Sequence, residues 1–248
     1  MSKKGQISIF LIFGIIIVLA FALVFYLRGQ SADSLSGLAV GEDINSIRIY
    51  LTQCLYDVGL EGVYELGQRG GYYLTPPKYV MLGEQELASY YYHGSNTVPE
   101  LSTLEYQLEK YIDDHIEGCV DLSLYTEQGY VISSGAVDSE LTIFEDKIDL
   151  RMAYPIKVKR DKEHYNFEDY EATVKVRYGH IIGVANQIVE KIIESPDYHD
   201  LTFFLTFDVL PSVVPQSKDI DVYVIKDEKS ERFANKEYTL IFGAEFLP

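Results

Sequence analysis

Ile7 through Leu27 is an unbroken apolar stretch of 21 residues in which only Ser8 and Tyr26 carry polar atoms. Wound as a helix rising about 1.5 Å per residue, it is roughly 31 Å long, the thickness of a bilayer's hydrocarbon core. A helix buried in a soluble core is seldom apolar on every face for so long. Lys3 and Lys4 precede the run, and only Arg28 follows it before the acids Asp33, Glu42 and Asp43. That asymmetry predicts a cytoplasmic N-terminus, with residues 28–248 outside the cell membrane. Tyr26 stands at the far end, where an amphipathic ring suits the interface. The first partner expected of this chain is therefore a lipid bilayer, crossed once.

Charge narrows the choice of further partners. Acidic residues number 38 and basic ones 21, a net charge of -17. Setting aside Lys3 and Lys4 leaves 19 cations against 38 acids, or -19, for the part beyond the anchor. Such a surface repels nucleic-acid backbones, so no nucleic-acid partner is expected. With 47% hydrophobic and 24% charged residues the chain has the balance of a folded protein. Its length beyond the anchor can bury a core of its own.

The start Lys3-Lys4-Gly5-Gln6-Ile7-Ser8-Ile9-Phe10 resembles archaeal class III signal peptides, the prepilin-like leaders. That resemblance covers about 20 residues. It implies a prepilin-type peptidase as partner and cleavage between Gly5 and Gln6, leaving the apolar helix on the mature protein. Many pilins of this kind carry a Glu five residues after the cut, where this chain has Phe10, so the likeness supports membrane insertion more than filament assembly. The alternative is a removed secretory signal peptide, but the apolar run is too long for one and Ala32-Asp33-Ser34 is a poor cleavage site. Further on, Cys54-Leu55, Leu60-Glu61-Gly62-Val63-Tyr64-Glu65-Leu66-Gly67, Gly70-Gly71-Tyr72, Val98-Pro99 and Cys119 resemble uncharacterised membrane-anchored surface proteins of small-genome archaea, a likeness that brings no activity with it.

The organisation expected is a leader (1–5), a transmembrane helix (6–27), a Gly/Ser/Ala-rich linker (28–42) and an extracytoplasmic domain (43–248). Asp43 is a candidate cap for a helix whose apolar stripe is Ile47, Leu51, Leu55, Val58 and Leu66 and which Gly70-Gly71 stops. Gly59, Gly62 and Gly67 weaken its propensity and mark close packing against another element. Ala88–His93 reads as a strand and Gly94–Pro99 as a loop. Ser102 with Glu105 makes a capping box for a second helix, with Leu104, Leu108, Tyr111 and Ile112 on one face, running to about Glu117. Leu141 and Ile143, then Ile148, Leu150 and Met152, alternate with polar residues around a Glu145-Asp146 turn and predict a hairpin. A strand follows over Ala172–Tyr178, then a helix carrying Ile181, Ala185, Ile188 and Ile192 that ends before Pro196. Asp200–Leu210 reads equally as helix or strand, and Asp221–Ile225 and Glu237–Phe242 as strands. The fold class is α+β: antiparallel strands with about three to four packed helices.

Both cysteines fall after the apolar run, in the compartment where disulfides persist, and two allow a single intramolecular pairing. Cys54–Cys119 is the expected bond, stapling the first helix to the second; two free buried thiols are the alternative. Of the histidines, His115 follows Asp113-Asp114 on a charged helix face, and Asp197-x-His199-Asp200 is a polar loop that could ligate an ion. His180 reads as a partly buried core residue, and His93 and His164 carry no pattern. No catalytic, phosphate-binding or zinc signature is present, and no cofactor or metal is expected. Tyr occurs 21 times and Trp never. Tyr gives rigid area with a polar tip, which suits adhesive or carbohydrate-facing surfaces, and Tyr72-Tyr73 and Tyr90-Tyr91-Tyr92 are the candidates. The function expected is a membrane-anchored extracytoplasmic protein with a binding or envelope-structural role and an unknown protein or envelope partner. A pilin-like filament subunit and an exported hydrolase are the alternatives.

Overall fold

The computed structural model describes residues 45–196 and 201–247. The Gly5–Gln6 site, the apolar run, the linker, the Asp43 cap and the Asp197-x-His199-Asp200 loop lie outside the described residues. No described helix is long and apolar enough to cross a membrane. The chain divides after Ile47 into two units, and the architecture that follows belongs to the second.

The fold is α+β. Its elements in chain order are α1 (Asn45–Gly67), β1 (Tyr79–Leu82), β2 (Gln85–Tyr92), β3 (Ser95–Asn96), α2 (Leu101–Cys119) and α3 (Ser123–Glu127). They continue with β4 (Val131–Ser134), β5 (Asp138–Ile143), β6 (Ile148–Arg160), β7 (Glu163–Val174), α4 (Tyr178–Glu194), α5 (Leu201–Phe204), β8 (Leu210–Pro215), β9 (Ile220–Asp227) and β10 (Tyr238–Glu245). One sheet has the order β1-β2-β10-β9-β8, with β3 added on β2. In it the N-terminal β2 lies parallel to the C-terminal β10, against the expectation of antiparallel pairing alone. The second sheet is built on β6, where β7 covers one edge over nearly the whole length and leaves β4 and β5 to share the other. The β6–β7 ladder slips between Ala153 and Ile156. Pro155 sits at the slip, with no N–H to donate, and its carbonyl accepts from Gly135 at 2.8 Å.

Helix α1 is the hub. Leu51, Leu55, Val58, Val63 and Leu66 are buried, and from Leu51 to the helix end the exposed positions reduce to a narrow stripe, Gln53, Asp57, Glu61 and Glu65. Its glycines explain how it can be packed on so many sides. A Cβ at Gly59 would fall 2.3 Å from Leu150 Cδ1 of β6, and one at Gly62 would fall 2.5 Å from Tyr111 Cδ1 of α2. At Gly67 it would fall 2.6 Å from the Thr239 carbonyl of β10. One helix thus touches both sheets and α2, a use of glycine that outweighs its poor helix propensity. The helix ends as its sequence predicts, with Gly70 and Gly71 at φ +67° and +81°.

Helix α4 covers the first sheet with Ile181, Ile182, Ala185, Ile188 and Val189. The expected hairpin is β5–β6. Other boundaries moved. The strand expected over Ala172–Tyr178 begins at Glu163 and stops at Val174, because Tyr178 opens α4. The Ser102/Glu105 capping box does not form: α2 starts at Leu101 behind Glu100, with no side-chain cap. Glu105 instead reaches across to β5, where its carboxylate accepts the Ile143 N–H at 2.9 Å.

Candidate functional site

The Cys54–Cys119 disulfide is present, with the two Cα atoms 5.8 Å apart. It joins α1 to the last residue of α2. Two turns further along α1, Gly62 meets Tyr111 and Leu108, and beyond the helix end Gly71 meets Leu104. The contacts run in opposite senses along the two helices, so α1 and α2 form an antiparallel pair stapled at one end.

A cavity of about 320 Å³ opens along this pair, lined by Glu61, Glu65, Leu66, Arg69, Tyr72, Tyr73, Tyr111 and His115. Glu61, Glu65 and Arg69 follow one another at four-residue intervals, the spacing that puts them on one face of α1 and its continuation. The connecting segment is held by α2: buried Gln107 accepts the N–H groups of Tyr73 and Leu74 at 3.0 and 2.8 Å. Tyr73 Oη donates to Asp114 at 3.0 Å, and Arg69 donates to the Tyr73 carbonyl at 3.0 Å. The His115 ring stacks on Tyr111 with centroids 4.0 Å apart, and Tyr73 stands nearly perpendicular to Tyr111 at 5.5 Å. His115 Nδ1 lies 2.8 Å from the Tyr111 carbonyl, which only accepts, so Nδ1 carries a proton.

Tyr72 and Tyr111 are each only 6% exposed. Their rings are buried, but neither hydroxyl is among the buried oxygens without a partner in the described residues, so both tips stay open to solvent and to a ligand. Burial, reinforced by Glu61 and Glu65, pushes the Tyr111 phenol up to about 12, so it remains a neutral donor. Burial raises Tyr72 likewise, and Tyr73 is raised by its bond to Asp114.

No family model, curated protein or solved structure matches the chain. The reading of this cavity therefore rests on its own geometry.

A larger concavity, of about 810 Å³, lies on β5–β6–β7. Most of its charges are spent on each other: Lys147 bonds Asp149 at 2.6 Å, Thr173 bonds Asp149 at 2.8 Å, and Arg151 pairs with Glu171 at 2.9 Å. It is a salt-bridged sheet surface and offers a ligand little.

Of the residues singled out from sequence, Tyr72, Tyr73 and His115 come together here. Glu61 and Glu65 fall in the 60–67 stretch that carries a resemblance and Arg69 in none, but no function attaches to them, and only their i, i+4 spacing beside buried positions could have marked them as a site. The Tyr90-Tyr91-Tyr92 run is not a surface: Tyr90 stacks on Phe242 at 4.5 Å and bonds the Gly70 carbonyl, and Tyr91 is buried. Only Tyr92 is partly open, against His93 and under Lys78. His180 is partly buried, though in a charged cluster rather than the core. It lies 2.7 Å from Asp208, which Arg177 and Lys229 also bind. Those donors, Arg177 first, hold the Asp208 carboxyl far below the usual range. His93 pairs with Glu245 at 3.2 Å, and His164 stands on exposed β7. Among the described residues no three His, Cys, Asp or Glu side chains gather as a metal site would require.

Proposed function

We propose that this chain is a single-pass, membrane-anchored extracytoplasmic binding protein. Residues 7–27 hold it in the bilayer with the N-terminus inside, and the cavity between α1 and α2 faces the exterior. The observation that carries the reading is the disulfide between the two helices that wall the cavity. Such a bond persists in oxidising compartments and not in the cytosol, which agrees with the side of the membrane that the charge around the apolar run selects. In the same proposal a prepilin-type peptidase cuts between Gly5 and Gln6 and leaves the anchor attached.

Protease applied to whole cells, followed by thiol mass-tagging of the full chain, tests this. The expected result is digestion of the C-terminal part from outside, with neither cysteine tagged until a reductant is added. A protected C-terminal part, or thiols that tag without reduction, overturns the reading. Mass spectrometry of the N-terminus is expected to find Gln6 first, and an intact Met1 or Ser2 overturns the leader assignment.

A further inference from the structure

We propose that the cavity between α1 and α2 binds a neutral sugar. This deepens the binding reading above and rests on it. The lining supplies both halves of what a ring of hydroxyls needs. Glu61 and Glu65 are acceptors, and Arg69 is a donor whose Nη1 is already committed to the Tyr73 carbonyl. The phenols of Tyr72 and Tyr111 can donate or accept. With Nδ1 turned to the Tyr111 carbonyl, Nε2 is the ring nitrogen of His115 left to meet a ligand. Tyr73, oriented by Asp114, offers a partly exposed ring against which the C–H face of a sugar packs.

Other ligand classes fit less well. Glu61, Glu65 and Asp114 outnumber Arg69 and repel a phosphate or carboxylate. An organic cation would find carboxylates and aromatic rings, but also the fixed Arg69 charge. A cavity of about 320 Å³ is at the small end of ligand sites and suits one or two sugar units. The disulfide and the Gln107 bonds to the connecting segment hold both walls in place before a ligand arrives, which lowers the ordering cost of binding.

The test uses the full chain extracted in a polyoxyethylene detergent, which carries neither sugar nor cation. Saturation-transfer NMR and titration calorimetry compare a panel of neutral hexoses, N-acetylhexosamines and their short oligomers with spermidine, choline and inorganic phosphate. Saturable binding of at least one neutral saccharide is expected. Glu61→Gln, on the exposed stripe of α1, should weaken it by about tenfold or more, and Tyr73→Ala should do the same. Both variants should keep the disulfide, and Glu61→Gln should keep the unfolding midpoint. Binding of the amines alone, of phosphate alone, or of nothing in the panel overturns the proposal, as does saccharide binding that Glu61→Gln leaves unchanged. Extracted protein reports on the cavity wherever the chain resides in the cell, so this outcome is separable from that of the protease experiment.

Discussion

Asp227 is fully buried on β9, where an isolated carboxylate would be severely destabilising. Arg177 answers it with two bonds of 3.0 Å, and Ser230 adds one at 2.6 Å. Burial alone would raise its pKa, but Arg177, Ser230 and the Lys229 N–H together hold it below the ordinary carboxylate value. The unfolded chain therefore takes up this proton at a higher pH than the folded one. The contribution is fully present above about pH 4 and is lost as pH falls through the folded-state value. Denaturant midpoints measured from pH 7 down to pH 3 should fall, and Asp227→Asn should flatten that fall. The same variant should cost about 2 kcal/mol at pH 7, since it weakens two bonds from the part-buried Arg177, which keeps Asp208 as its remaining carboxylate.

Helix α2 has two tasks that its sequence does not advertise. Its inner face packs with Leu104, Leu108 and Ile112, while Glu105 and Glu109 lie along the free edge of β5. There they accept the Ile143 N–H at 2.9 Å and the Leu141 N–H at 3.3 Å. An edge strand with its amides so occupied cannot recruit a second chain at those positions. Glu105→Ala should cost about 1 kcal/mol and speed hydrogen exchange at Ile143, measured by mass spectrometry or NMR. Glu109 behaves differently. Burial raises its pKa, so its charge opposes folding as pH rises through the folded-state value. Glu109→Gln keeps an acceptor for Leu141 and removes that charge, so stability at pH 7 should hold or increase. Its pH response is the reverse of the one Asp227 confers.

At the scale of the whole molecule the disulfide closes a separation of 65 residues that contains α1's C-terminal half, the β1–β2 hairpin and α2. Chain-entropy models put the stabilisation from closing a loop of that length at about 4 kcal/mol. The Cys54→Ser/Cys119→Ser double variant should lower urea-unfolding stability by roughly that amount. Reductant should have the same effect on the native chain and none on the variant. Since the bond ties the two walls of the cavity, the variant also separates rigidity from chemistry: every lining side chain remains, while the frame that positions them loosens.

The periods of the sequence settled most elements on their own. Ile181, Ala185, Ile188 and Ile192 recur at helical spacing and form α4, and the alternation on either side of Glu145-Asp146 forms β5–β6. Gly70-Gly71 ended α1 because only glycine accepts those backbone angles cheaply. These are short-range effects, complete within a few residues. The glycines of α1 announced close packing but not its partners, which lie on β6, α2 and β10, far along the chain. The Ser102/Glu105 pattern misled because a carboxylate's local option lost to a distant amide on β5. The β2–β10 pairing had no local signal, since its two strands stand far apart in the chain, Gln85–Tyr92 and Tyr238–Glu245. The cavity divides in the same way. Tyr72 and Tyr73 were legible as candidates, but their convergence with Glu61, Tyr111 and His115 depends on two helices packed in opposite directions and stapled together. Propensity and periodicity act between neighbours, whereas a site is made by residues that only packing brings within reach of one another.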